Sequence, residues 1–147
     1  MTADQSQASD QGQSGRKHLK QQSAVPGKGG LNRIAASFRN TLHGLREGLL
    51  TEAAIKQEAG LAAVLLPLSF FIAENVWVWV ALVTSMCLVF AVEFLNTAIE
   101  RLCNHVHPDL HDAIKVTKDL ASAGVFFSLL LAGIVWGAAF LMALGLI

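Results

Sequence analysis

Four polar side chains stand at helical spacing in the stretch AVEFLNTAIERLCN, Ala91 to Asn104: Glu93, Asn96, Glu100 and Asn104. At about 100° per residue they point to roughly 0°, −60°, −20° and +20° on one helix, so they form a single stripe. Hard-oxygen ligands of this kind suit Mg²⁺, which takes one or two carboxylates and completes its shell with phosphate oxygens. Glu100 is one candidate ligand and Glu52, at the start of the helix leading into the first apolar block, is the second. Glu93 lies about 10 Å deeper than Glu100 at 1.5 Å per residue, where it could take a proton from a hydroxyl. With Lys118 as a cation, the set reads as phosphoryl transfer: a base for the acceptor, metal on the phosphates, and countercharge.

The elements that must carry this stripe are apolar. Of the 147 residues 53% are hydrophobic and 15% charged, and the apolar ones come in blocks, which points to a membrane. Leu61–Ala73 is short, Val76–Val92 is a longer stretch without a charge, and Ala123–Ile147 carries none either. The third block is long enough to cross a hydrocarbon core, which takes roughly 20 residues. The first two, taken alone, also fit buried helices of a soluble core. Three spans are expected, at about 54–73, 76–99 and 121–146, with Glu74 and Asn75 as a tight turn between the first two. In lipid the backbone must satisfy itself, so all three are helices and the fold is an all-α membrane protein. A carboxylate at the bilayer centre costs roughly 2.5–3.5 kcal/mol, so the stripe should face a bundle interior near the interface.

Orientation follows from the basic residues. Eight of the 11 Lys and Arg residues precede the first apolar block, and Arg101, Lys115 and Lys118 lie between the second and third blocks. The positive-inside rule then places the N-terminus and the second connection in the cytoplasm and the C-terminus outside. Leu31, Ile34, Ala35, Phe38, Leu42, Leu45 and Leu49 recur at helical spacing among Arg33, Arg39 and Arg46, which predicts an amphipathic helix over about 31–50 lying on the inner surface. Residues 1–30, rich in Gln, Ser, Gly and Lys, read as a disordered tail ahead of a membrane-embedded domain over 31–147. GKGG around Lys28 lacks the remaining positions of a phosphate loop. Cys87 and Cys103 suggest neither a disulfide nor zinc, and the His and Asp residues of HVHPDLHDAIKVTKD read better as a solvated loop over a nucleotide than as a metal site.

At EFLNTAIE (Glu93 to Glu100), at the Lys118–Asp119 pair before ASAGV, and along RIAASFRNTLHGLREGLLTEAAIKQE, the chain resembles the prokaryotic integral-membrane diacylglycerol kinase family. The resemblance covers 31–147. It implies a homotrimer of three-span subunits with active sites shared between neighbours at the cytoplasmic membrane face, moving the γ-phosphate of ATP onto the hydroxyl of 1,2-diacylglycerol to give phosphatidate. By motif match Glu93 would be the general base, oriented by Asn96, and Glu52 and Glu100 would hold Mg²⁺ on ATP. Arg33, Asp109, His111, Lys118 and Asp119 would also contact ATP. Arg46, Gln57, Glu58 and Ser122 would line the lipid side. Asn104 stands where the family usually has an acidic residue, and Asn40 where many members carry an aromatic one.

Two rival functions remain at this level. An undecaprenol kinase would use the same chemistry on a polyprenol. A small oligomeric ion pathway would need polar groups through the bilayer depth, whereas here they gather at one face. No nucleic-acid partner is expected.

Overall fold

The computed structural model describes residues 30–106 and 111–147, so the expected N-terminal tail and Asp109 lie outside the described residues. Four helices follow one another: α1 (Gly30–Thr51), α2 (Ala53–Ile72), α3 (Val76–Val106) and α4 (Asp112–Ala143). No strand occurs among the described residues. α2, α3 and α4 are each long and apolar enough to cross a membrane. Most of their apolar surface faces outward, as in Phe70, Phe71, Phe126 and Phe127. That is how helices present themselves to lipid rather than to a soluble core. The chain divides into two units, one ending at Asn40 and the other running from Thr41 to Ile147.

α1 and α2 are joined by a single non-helical residue, Glu52. Glu52 takes an extended conformation, φ −97° and ψ 125°. Its N–H still donates to the Gly48 carbonyl at 2.9 Å, and its carbonyl accepts from the Lys56 N–H at 3.2 Å. One residue therefore bends the chain while leaving its own backbone groups satisfied.

The α2–α3 hairpin is closed by Asn75, whose Oδ1 accepts from the N–H groups of Trp77 at 3.0 Å and Val78 at 3.1 Å. This is an N-cap in the usual sense, satisfying donors that the first turn cannot. Across the same hairpin the rings of Phe70 and Trp79 stand 5.4 Å apart. Replacing Asn75 by Ala should cost about 1 kcal/mol of stability, read as a lowered thermal midpoint in detergent, with no change in activity below that midpoint.

α4 makes its longest contact with α3 and a lighter one with α2. Ile72, Leu82 and Ala139 form one buried cluster, flanked by Val78, Val135 and Trp136. α4 also begins earlier than the loop reading allowed: Asp112 to Asp119 are helical. His111 explains the early start, since its Nδ1 accepts from the Ala113 N–H at 3.3 Å, with Asp112 in the positively polarised first turn. At the far end Gly145 takes φ +67°, and Gly145 and Leu146 donate back to Met142 and Leu141, which ends the helix.

Candidate active site

The stripe on α3 passes from the interior to the surface. Glu93 is only 5% exposed, Asn96 and Glu100 are half-buried, and Asn104 is exposed. Helical spacing thus places the candidate base deepest and the candidate metal ligand nearer water. Glu93 stands within electrostatic reach of Glu52 and Glu100, and of Glu58 on α2. Four carboxylates from the α1–α2 junction, α2 and α3 therefore share one region.

Such a gathering of negative charge is costly without cations, and Arg101 supplies one. Its Nε and Nη2 reach Glu52 Oε1 at 3.0 and 2.6 Å. Nη2 also donates to the Thr51 hydroxyl, and Nη1 lies 3.7 Å from Glu47. Sequence reasoning had used Arg101 only as a topology marker. The second cation, Lys118 on α4, donates to Asn104 Oδ1 at 3.3 Å, which ties α4 to the outer end of the stripe. The amide at Asn104 thus gives the lysine a neutral partner where a carboxylate would have formed an ion pair.

Among the described residues four buried side-chain polar atoms lack a hydrogen-bond partner from the protein: Asn96 Oδ1 and Glu58 Oε2 near the stripe, and the indole Nε1 atoms of Trp79 and Trp136. Buried polar groups rarely stay unpaired, so Asn96 and Glu58 each keep an acceptor oxygen open to a further partner. Below Glu58, a cleft of about 380 Å³ runs between the three spans, lined by Leu61, Leu65, Met86, Phe90, Leu129 and Trp136 among others. Its α2 wall, Glu58 to Leu65, extends about 10 Å along the helix. The cleft thus has a carboxylate at one end and apolar walls below it, the shape an amphiphile requires.

The remaining expected residues are placed less tightly. Arg46, Gln57, Asp119 and Ser122 are exposed, and His111 caps α4. Arg33 and Asn40 belong to the unit that ends at Asn40. Among the described residues no three His, Cys, Asp or Glu side chains converge on one metal position. Two carboxylates remain a fitting donor set for Mg²⁺, whose other ligands are ordinarily phosphate oxygens and water. Cys87 and Cys103 are both free thiols. Gly48 was also overlooked: it is buried, and a Cβ built there would stand 2.5 Å from Phe94 Cε1 and 2.9 Å from Ile55 Cδ1. α1 therefore meets the residue beside Glu93 through a bare backbone.

Comparison with known proteins shows the family. Residues 39–140 match the model of the prokaryotic diacylglycerol kinase family. A diacylglycerol kinase of Haemophilus influenzae is 36% identical over 108 residues, covering 74% of this chain and 92% of the relative. One from Escherichia coli is 30% identical over 107 residues, 73% of this chain and 88% of the relative, and one from Pseudomonas aeruginosa is 31% identical over 114 residues, 78% and 93%. With three candidate spans, a carboxylate stripe at the end of one of them and matches over this length, the chain belongs to the prokaryotic diacylglycerol kinase family and is a membrane lipid kinase.

Proposed function

We propose that this chain phosphorylates 1,2-diacylglycerol with ATP at the cytoplasmic face of a bacterial inner membrane. The observation that carries the reading is the buried Glu93, which shares one region with Glu52, Glu58 and Glu100 beside an apolar cleft between the spans. A lipid whose acyl chain enters that cleft would hold its glycerol hydroxyl at the level of Glu58 and Glu93. Glu93 then accepts the hydroxyl proton as the oxygen bonds to the γ-phosphorus. The bond from that phosphorus to the β,γ-bridging oxygen breaks, and ADP leaves with the electron pair.

Glu52 and Glu100 would hold Mg²⁺, which when bound neutralises charge on the phosphates. Lys118 faces the same outer end of the stripe and would add its charge there, with Asp119, His111, Asp109 and Arg33 around the nucleotide. Asn96, with its unpaired Oδ1, would orient the carboxylates. Arg46, Gln57 and Ser122 would border the lipid. The family resemblance supports a homotrimer with sites shared between neighbours. The unpaired Asn96 and Glu58 atoms and the outward apolar faces of the spans are compatible with such neighbours. The concentration of Lys and Arg before α2 and between α3 and α4 supports a cytoplasmic N-terminus and site and a periplasmic C-terminus.

The test is transfer of labelled phosphate from ATP by the purified chain in mixed micelles with Mg²⁺, offering diacylglycerol and undecaprenol separately. Diacylglycerol should be the better acceptor by kcat/KM. A preference for undecaprenol would keep the chemistry and change the substrate, and transfer to neither lipid would sink the proposal.

A further inference from the structure

We infer that Arg101 is a positioning residue for Glu52, setting the carboxylate at the α1–α2 bend in the one orientation from which it serves a divalent cation. The inference rests on the reading above that Glu52 is a metal ligand. Glu52 is otherwise poorly placed for such a task. It is the extended residue between two helices, its side chain caps no N–H of α2, and a glutamate at a half-exposed bend has many rotamers open to it. Arg101 removes that freedom. Both guanidinium bonds, at 3.0 and 2.6 Å, fall on Oε1, so the fork fixes the carboxylate through one oxygen and turns the other outward from it.

The arginine is itself held. Nη2 reaches Thr51 and Nη1 approaches Glu47 at 3.7 Å, so three residues of the bend, Glu47, Thr51 and Glu52, converge on one side chain from α3. Arg101 directly follows Glu100. The helix turn that carries one candidate metal ligand therefore also orients the other, which ties the carboxylate at the α1–α2 bend to the one on α3. This is the relation outer partners bear to metal ligands generally: they hold the ligand's orientation.

A competing effect has the opposite sign. Arg101 is a permanent positive charge beside a cation site, and removing it would by Coulomb's law draw a metal closer. Its side chain is 48% exposed, however, and charge at that exposure is strongly screened by water. The geometric loss should therefore outweigh the electrostatic gain, and the two explanations predict opposite shifts in metal affinity.

The experiment is a Mn²⁺ titration of the full chain in detergent with a non-hydrolysable ATP analogue, reading free Mn²⁺ by its electron paramagnetic resonance signal. Wild type is compared with Glu52→Gln, Arg101→Gln, Arg101→Lys and Glu47→Gln, and the thermal midpoint of each sample is recorded. Arg101→Gln should weaken Mn²⁺ binding by about 10-fold, within the range seen when outer partners of metal ligands are removed. Arg101→Lys, which keeps the charge and loses the fork, should recover only part of that loss. Glu47→Gln should leave binding near wild type. Equal or tighter binding in Arg101→Gln would overturn the inference, showing the arginine to be a competing charge. Equal weakening by Glu47→Gln and Arg101→Gln, in step with their thermal midpoints, would overturn it too, since a general staple of the bend would then suffice. If Glu52→Gln binds Mn²⁺ like wild type, the metal assignment of Glu52 fails and the inference falls with it.

Discussion

Glu93→Gln should lower kcat for lipid phosphorylation by about 10²–10⁴-fold, the range that general-base catalysis contributes, while KM for ATP changes little. The substitution keeps the shape and one carbonyl oxygen of the side chain but removes its ability to take a proton. Because Glu93 is buried on α3, a change of volume would confound the result, and the isosteric amide avoids that. The amide also relieves repulsion among the neighbouring carboxylates, so the variant should be at least as stable as wild type in detergent. Measuring kcat and the thermal midpoint on one preparation separates the two effects. Full activity in a folded Glu93→Gln protein would remove Glu93 from the chemistry and make Glu58, the carboxylate that lines the cleft, the next candidate base.

The second large effect is expected far from any reacting atom. Gly48→Ala puts a methyl group where Phe94 Cε1 stands 2.5 Å and Ile55 Cδ1 2.9 Å away. Ile55 is fully buried and has little room to retreat, so the Phe94 ring must shift or α1 must lift. Overpacking of this kind costs about 1–3 kcal/mol. Phe94 adjoins Glu93 in sequence, and the Gly48 carbonyl accepts from the Glu52 N–H, so either movement disturbs a candidate catalytic group. A misplacement near 1 Å can cost about 10²-fold in rate. Phe94→Leu in the same chain should restore much of the loss by making room, and a double-mutant cycle should show coupling of favourable sign. Strictly additive effects would mean that the Gly48–Phe94 approach is not what limits the site.

Much of this arrangement was legible from residue order because the membrane simplifies the problem. Long uncharged blocks admit only helices, and on a helix the spacing of Glu93, Asn96 and Glu100 fixes a face without any knowledge of neighbours. What could not be read are features set by contact between distant segments. Arg101 sits about 100° around the helix from Glu100, off the stripe, and only the path of the α1–α2 bend reveals what it touches. Gly48 looks like an ordinary glycine of modest helical cost until the ring of Phe94 is placed over it. Residue order separates a surface helix over about 31–50 from a span starting near 54, but it does not show that the join is one extended residue, because TEAAIKQEAG has good helix propensity throughout and propensity does not register a single residue whose backbone bonds remain intact. The reading of HVHPDLHDAIKVTKD as a loop failed for a related reason. Pro108 and three histidines suggest irregular chain, yet a single cap at His111 suffices to start α4 at Asp112.

The cleft below Glu58 has walls contributed by all three spans and opens among side chains that otherwise face lipid. A lipid that used this cleft as its binding site would never cross bulk water, because it would arrive sideways, within the plane of the bilayer. On that route the quantity that governs saturation would be a surface mole fraction rather than a molarity. Adding inert amphiphile at constant substrate molarity dilutes the acceptor as effectively as removing it.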